Sequence, residues 1–141
     1  MAQRSPGPGV ARRRESRRFL TNDDPTKAAR AGRLFRDAVN GRVLLTTSAL
    51  VIAEIVWTLD SFYGLPKPQI AEKVEKILNT PNLECDERER ILQALDTFVH
   101  ENVDYIDAYH AFFMKDLGIT RIATYDRKHF GRIPGVEIIE P

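Results

Sequence analysis

Apolar residues recur at helical spacing in several segments of the chain, and short apolar runs separate those segments. The first helix is predicted to start at Asp24-Pro25 and to end before Gly41, because an acidic N-cap followed by Pro is typical of a helix start. Its apolar stripe contains Ala28, Ala31, Leu34, Phe35 and Ala38. Four further helices are predicted: from Ser48 to about Phe62 with Gly64 after it, from Pro68 to Leu78, from Asp86 to Val99, and from Asp104 to Leu117.

Three short runs have the composition of strands: residues 43–47, 121–124 and 136–139. Helices that alternate with short buried strands predict an α/β fold, with a short parallel sheet flanked by about five to six helices. Residues 10–17 stand where such a domain would have its first strand. They hold five charges in eight positions, and burying those charges in a central strand would carry a severe desolvation cost.

Charge divides the chain into two parts. Residues 1–18 hold six Arg against Glu15, a net charge of +5, and they are predicted to be a disordered basic segment. Residues 19–141 are predicted to form one globular domain with a net charge of −4. This mildly acidic body suits a metal site better than a broad phosphate-gripping surface.

The remaining composition narrows the protein class. Cys85 is the only cysteine, which excludes an intramolecular disulfide and a Cys-rich zinc site and favours a cytoplasmic location. The longest apolar stretch, residues 50–59, is interrupted by Glu54 and is too short to cross a bilayer. We therefore expect no membrane association.

Glu54 is the only ionisable residue between positions 49 and 59. A helix that is apolar on nearly all sides is largely buried, so this carboxylate needs a partner or a cation. The alternative is a position at the edge of the helix, where water would reach it.

Two more candidate acids lie on the fifth predicted helix and one follows a strand. Asp104 and Asp107 are three residues apart and share a helix face, although a helix cap or a partner of the helix dipole is the simpler interpretation of Asp104 alone. His110 continues that face and is expected to be a core or supporting histidine rather than a ligand. Asp126 follows the strand at 121–124, and open α/β sheets place their active sites at such strand ends, although a turn acid is the simpler interpretation of this residue alone.

Taken together, Glu54, Asp107 and Asp126 come from three elements that could face one crevice. Crowded carboxylates repel one another unless a cation lies among them. Oxygen ligands without Cys or paired His favour Mg²⁺ or Mn²⁺, and such ions can activate water for attack on a phosphodiester.

Several segments resemble bacterial PIN domains, particularly VapC-type toxin ribonucleases of type II toxin–antitoxin systems. They are residues 18–25 (RFLTNDDP), 54–59 (EIVWTL), 107–111 (DAYHA), 123–130 (ATYDRKHF) and 133–135 (IPG). The resemblance implies a compact PIN-like α/β fold and cleavage of RNA by a toxin that depends on Mg²⁺ or Mn²⁺. It also implies a homodimer that a cognate antitoxin protein silences.

The same resemblance implies roles for individual residues. Glu54, Asp107 and Asp126 would be the catalytic, metal-binding acids, with Asp104 as a nearby metal-site acid. Thr124 would support the last acid with its hydroxyl, and Arg127 would contact an RNA phosphate.

One family feature is not matched. The family opens with a strand that ends in a metal-binding Asp, and this position falls near Arg12. One hypothesis is a shifted reading frame, since codons for Ala11-Arg12-Arg13 can be chosen that encode Leu-Asp one base later. The other is a decayed or non-catalytic PIN-like module that binds antitoxin or RNA without cutting.

Overall fold

The computed structural model of the chain describes residues 2–4, 9–10 and 25–141. Contacts between residues divide the chain into two compact units, Met1–Glu87 and Arg88–Pro141. Helices and short parallel strand pairs occur in both units, so the α/β class expected from the sequence is confirmed.

The first unit contains a four-stranded sheet and three main helices among its described residues. In chain order its elements are β1 (Ala2–Arg4), β2 (Gly9–Val10), α1 (Pro25–Val39), β3 (Leu44–Thr47), α2 (Ala49–Trp57), a π-helical turn (Thr58–Phe62), α3 (Lys67–Leu78) and β4 (Leu83–Cys85). The strand order is β2-β1-β3-β4. Strands β3 and β4 are parallel, with Leu45 opposite Leu83 and Thr47 opposite Cys85.

The N-terminal part of this sheet differs from the prediction. Strand β1 pairs antiparallel with both β2 and β3, although residues 1–18 were expected to be disordered. Strand pairing uses backbone groups, so it does not require apolar side chains. The charged run at 12–15 lies outside the described residues, and the predicted boundary at residue 18 stays a prediction.

Helix α2 forms much of the core of the first unit. Ser48 caps its start and accepts a 3.4 Å hydrogen bond from the Val51 N–H, while Gly64, at φ +61°, follows its π-helical continuation as predicted. The fully buried side chains of this unit include Leu45, Ile52, Ile55, Leu59, Ile70 and Val74. The opposite side of α2 is not buried, because Leu50 is 74% and Trp57 65% exposed.

The second unit contains two packed helices and a two-stranded parallel sheet. Its elements are α4 (Arg88–His100), α5 (Tyr105–Asp116), β5 (Arg121–Ala123), α6 (Arg127–Phe130) and β6 (Glu137–Ile139). Ile91, Leu95 and Phe98 of α4 are fully buried, and the Phe98 ring meets the edge of Tyr105 with ring centroids 6.4 Å apart. Strand β5 pairs with β6 from Arg121–Glu137 to Ala123–Ile139.

Two details of the fold differ from the sequence prediction. Strand β4 was not predicted, because Leu83–Cys85 is only three residues long and carries Glu84. Helix α4 begins at Arg88, two residues after the predicted acidic start. In the described part of the chain no helix is both long and apolar enough to cross a membrane.

Candidate metal centre

The start of α5 places two acids beside each other. Asp104 occupies the N-cap position of this helix, yet within the described ranges its side chain makes no capping hydrogen bond. Its side chain is 62% exposed, whereas that of Asp107, in the first helical turn, is 20% exposed. The predicted N-cap position of Asp104 is therefore confirmed without a side-chain capping hydrogen bond, and its role as a partner of the helix dipole stays a prediction.

The third acid lies in the turn between β5 and α6. The Asp126 N–H donates to Oγ1 of Thr124 at 3.0 Å, and Asp126 Oδ1 accepts from the His129 N–H at 3.0 Å. Asp126 is thus the N-cap of the short helix α6 as well as a candidate ligand. The Thr124 hydroxyl thus contacts the backbone of the last acid, and its supporting role in the site stays a prediction.

His129 connects the three acids, and the sequence analysis missed it. Its Nδ1 lies 2.8 Å from Asp126 Oδ2 and 3.3 Å from Asp107 Oδ2, and its Nε2 lies 3.7 Å from Asp104 Oδ2. The available signal was its position three residues after Asp126, which places both on one side of a helical turn. The histidine that the sequence did single out, His110, is exposed rather than part of the core.

The environment separates the pKa values of the two inner acids. Burial raises the pKa of Asp107, and the nearby negative charge of Asp126 adds to this effect. The backbone N–H of His129, followed by its ring, lowers the pKa of Asp126. Asp126 therefore holds its charge readily, whereas Asp107 is ionised at a cost that a cation would relieve.

The donor atoms of this cluster fit a divalent cation. Asp104, Asp107 and His129 each offer one ligand atom, and these three atoms lie within 4.8 Å of one another. Two carboxylate oxygens and one imidazole nitrogen form a donor set that divalent metal ions accept. A metal would be held by these residues, with Asp126 adjoining them.

The other two predicted site residues have separate surroundings. Glu54 is half-buried on α2 of the first unit, and its backbone carbonyl accepts a 2.8 Å hydrogen bond from Thr58 Oγ1. Its expected approach to the acids of the second unit stays a prediction. Arg127 is exposed and pairs with Glu140, the shortest distance being 2.7 Å between Nη2 and Oε1.

Comparison with known proteins gives one match. The family model of the PIN domain matches residues 17–136, well over half of the chain. No curated protein matches the chain, and no solved structure does so either. PIN domains are generally nucleases and typically use divalent metal ions, which agrees with the acidic cluster around His129. From the extent of this match, the chain belongs to the PIN domain family.

Proposed function

We propose that this protein is an endoribonuclease that depends on Mg²⁺ or Mn²⁺, and that it is the toxin of a toxin–antitoxin pair. The observation that carries the proposal is the convergence of Asp104, Asp107 and Asp126 on His129 in a protein of a nuclease family. Such a cluster of acids is electrostatically costly without a cation and useful with one.

Each acid of the cluster has a distinct part in the proposal. When bound, the cation would supply an activated water and neutralise charge on the scissile phosphate. Asp126, held by Thr124 and by two contacts from His129, offers a fixed negative charge. Asp107 is half-buried and offers an inner carboxylate, while the exposed Asp104 lies at the solvent side.

The partners are proposed with the function. RNA is the proposed substrate, an antitoxin protein the proposed inhibitor, and the cytoplasm the proposed compartment, which suits a sequence whose only cysteine is Cys85. A homodimer is supported by the exposed Leu50 and Trp57, which lie seven residues apart on one face of α2. Sedimentation of a Trp57→Glu variant tests this: a species of unchanged mass would contradict a dimer through that face.

Cleavage of RNA by a purified Asp107→Asn variant tests the nuclease proposal. We expect the rate with Mn²⁺ to fall by about 100-fold or more, because the inner carboxylate is lost without a change in shape. The matched control is Asp96→Asn, which removes an exposed acid paired only loosely with His100 at 3.4 Å and should leave the rate unchanged.

Assays of the wild-type protein distinguish the nuclease from a non-catalytic binding module. A cooperatively folded sample that cuts no RNA in the presence of Mn²⁺ would overturn the nuclease proposal. Binding of RNA or antitoxin by the same sample would then support the alternative, a non-catalytic PIN-like module. The Arg at position 12, where the family has an acid, is the observation that favours this alternative.

A further inference from the structure

The two ring nitrogens of His129 have different neighbours. Nδ1 lies 2.8 Å from Asp126 Oδ2, a hydrogen-bond distance, and the His129 backbone N–H binds the other oxygen of the same carboxylate at 3.0 Å. Nε2 lies on the far side of the ring and faces Asp104 Oδ2 at 3.7 Å. Nδ1 also lies 3.3 Å from Asp107 Oδ2, so the ring presents Nδ1 to two acids, of which Asp126 is the nearer, and Nε2 to a third acid.

This orientation assigns the proton of the ring. A carboxylate can only accept, so Nδ1 carries the hydrogen that is donated to Asp126. Nε2 of the neutral ring then has a lone pair. The distance of 3.7 Å from Nε2 to Asp104 Oδ2 is too long for a direct hydrogen bond, but it lets both atoms reach one cation after a small movement of the exposed Asp104 side chain.

The same arrangement recurs where histidine binds metals. A metal-ligating histidine almost always donates its second ring N–H to a carboxylate or carbonyl, which fixes the tautomer and aims the ligating nitrogen. In this protein Asp126 would be that orienting carboxylate for His129. The His129 side chain is only 19% exposed, so its ring is held in place, whereas the exposed Asp104 can adjust to an ion.

We propose that His129 Nε2 is a direct ligand of the divalent cation and makes the site select Mn²⁺ over Mg²⁺. This inference rests on the proposed metal-dependent function and adds a residue that determines metal specificity. Mg²⁺ demands a nearly ideal octahedral shell of oxygens and keeps much of its water. Imidazole nitrogen is a ligand of transition metals, so a nitrogen in the shell disfavours Mg²⁺ relative to Mn²⁺.

Pulsed electron paramagnetic resonance of the full chain loaded with Mn²⁺ alone tests the ligand directly. We expect modulation from a directly bound ¹⁴N nucleus in the wild-type protein and its loss in His129→Gln. The matched control is His100→Gln, since His100 is an exposed histidine that lies 3.4 Å from a single acid, Asp96. The ¹⁴N signal should persist in that control.

Calorimetric titration with Mn²⁺ and with Mg²⁺ tests the selectivity. We expect the wild-type protein to bind Mn²⁺ more tightly, and His129→Gln to lose on the order of 10- to 100-fold in Mn²⁺ affinity with a much smaller change for Mg²⁺. An equal loss for both ions would contradict selection by nitrogen. Circular dichroism establishes that the variant is folded, and if it is not, the wild-type resonance spectrum alone decides.

The outcomes separate this inference from the function on which it rests. Bound Mn²⁺ without a ¹⁴N signal, in a protein that still cuts RNA, would overturn the role of His129 and leave the nuclease intact. Absence of Mn²⁺ binding together with absence of cleavage would overturn both.

Discussion

Thr124 accepts a 3.0 Å hydrogen bond from the backbone N–H of Asp126 through its side-chain hydroxyl. The Thr124 N–H itself donates to the Ile139 carbonyl at 3.0 Å, so the residue directly after β5 is bound to the end of β6. Together these bonds set the direction in which the chain leaves the sheet. The orientation of the Asp126 carboxylate therefore depends on a hydroxyl two residues earlier.

Replacement of this hydroxyl should reduce activity while preserving the fold. We expect Thr124→Val to slow RNA cleavage by about 10- to 100-fold, because a small displacement of a catalytic group is costly. Thr124→Ser keeps the hydroxyl and should retain most of the wild-type rate. Single-turnover cleavage measures the effect, and equal rates for the Val and Ser variants would contradict the role of this hydrogen bond.

The charge on Asp107 should lower the free energy of unfolding of the metal-free protein at neutral pH. Burial raises its pKa above the ordinary value of 3.8, so the folded state binds the proton more tightly than the unfolded state does. The stabilising contribution of protonated Asp107 is then fully present at pH values below that ordinary pKa, and it is lost as the pH rises through the pKa of the folded state. Asp107→Asn should therefore increase the free energy of unfolding at pH 7, by less than about 1 kcal/mol because water reaches the cluster and screens it.

Urea unfolding with a chelator present, at pH 3 and at pH 7, measures this effect. The gain should disappear at pH 3, where Asp107 is protonated in both states. A gain of equal size at both pH values would show that the effect of the substitution does not come from the carboxylate charge.

The guanidinium of Arg127 is paired with Glu140, so a phosphate would have to compete with this carboxylate. Its Nε and Nη2 atoms lie 2.8 Å and 2.7 Å from Glu140 Oε1. If Arg127 binds a phosphate, Glu140→Gln should tighten RNA binding and Arg127→Ala should weaken it and lower the salt slope by about 1. Fluorescence anisotropy over a range of salt concentrations measures both, and an unchanged slope in Arg127→Ala would exclude the phosphate contact.

Arg90 joins α4 to α5 and should contribute to stability. Its guanidinium lies 5.0 Å from the ring centre of Phe113 and 5.7 Å from that of Tyr109, while its Nε donates to Asp116 at 2.9 Å. We expect Arg90→Ala to lower the free energy of unfolding by about 1–2 kcal/mol. Arg90→Lys should recover only part of this, because an ammonium group cannot stack and pair at once.

Arg121 provides the matched control for that experiment. It pairs with Glu137 at 3.0 Å, but its side chain is 66% exposed whereas that of Arg90 is 19% exposed. Arg121→Ala should change the free energy of unfolding by less than about 0.5 kcal/mol. Similar losses for both Ala variants, measured by urea unfolding, would contradict a special role for the contacts of Arg90.

Much of the fold could be predicted from the sequence, because it depends on residues that are close together along the chain. The Ser48 cap, the Gly64 end of the second helix and the α/β alternation follow from near neighbours along the chain. Asp107 and Asp126, which the sequence places on a helix face and at a strand end, both lie beside His129, and their shared role with Glu54 in one site stays a prediction. The resemblance to PIN domains then added Thr124 and Asp104 to the same group.

Contacts between segments that are distant along the chain could not be predicted from the sequence. His129 looked like an ordinary helix residue, and only the packing of α6 near α5 brings its ring to Asp107 and Asp104. The antiparallel pairing of β1 depends on the edge that β3 offers to it, and this pairing cannot be predicted from residues 2–4 themselves. Sequence thus determined which residues could carry charge and where helices begin and end, since these are short-range effects. Tertiary structure decided which side chains share one cluster, because that requires several elements to be fixed in space at once.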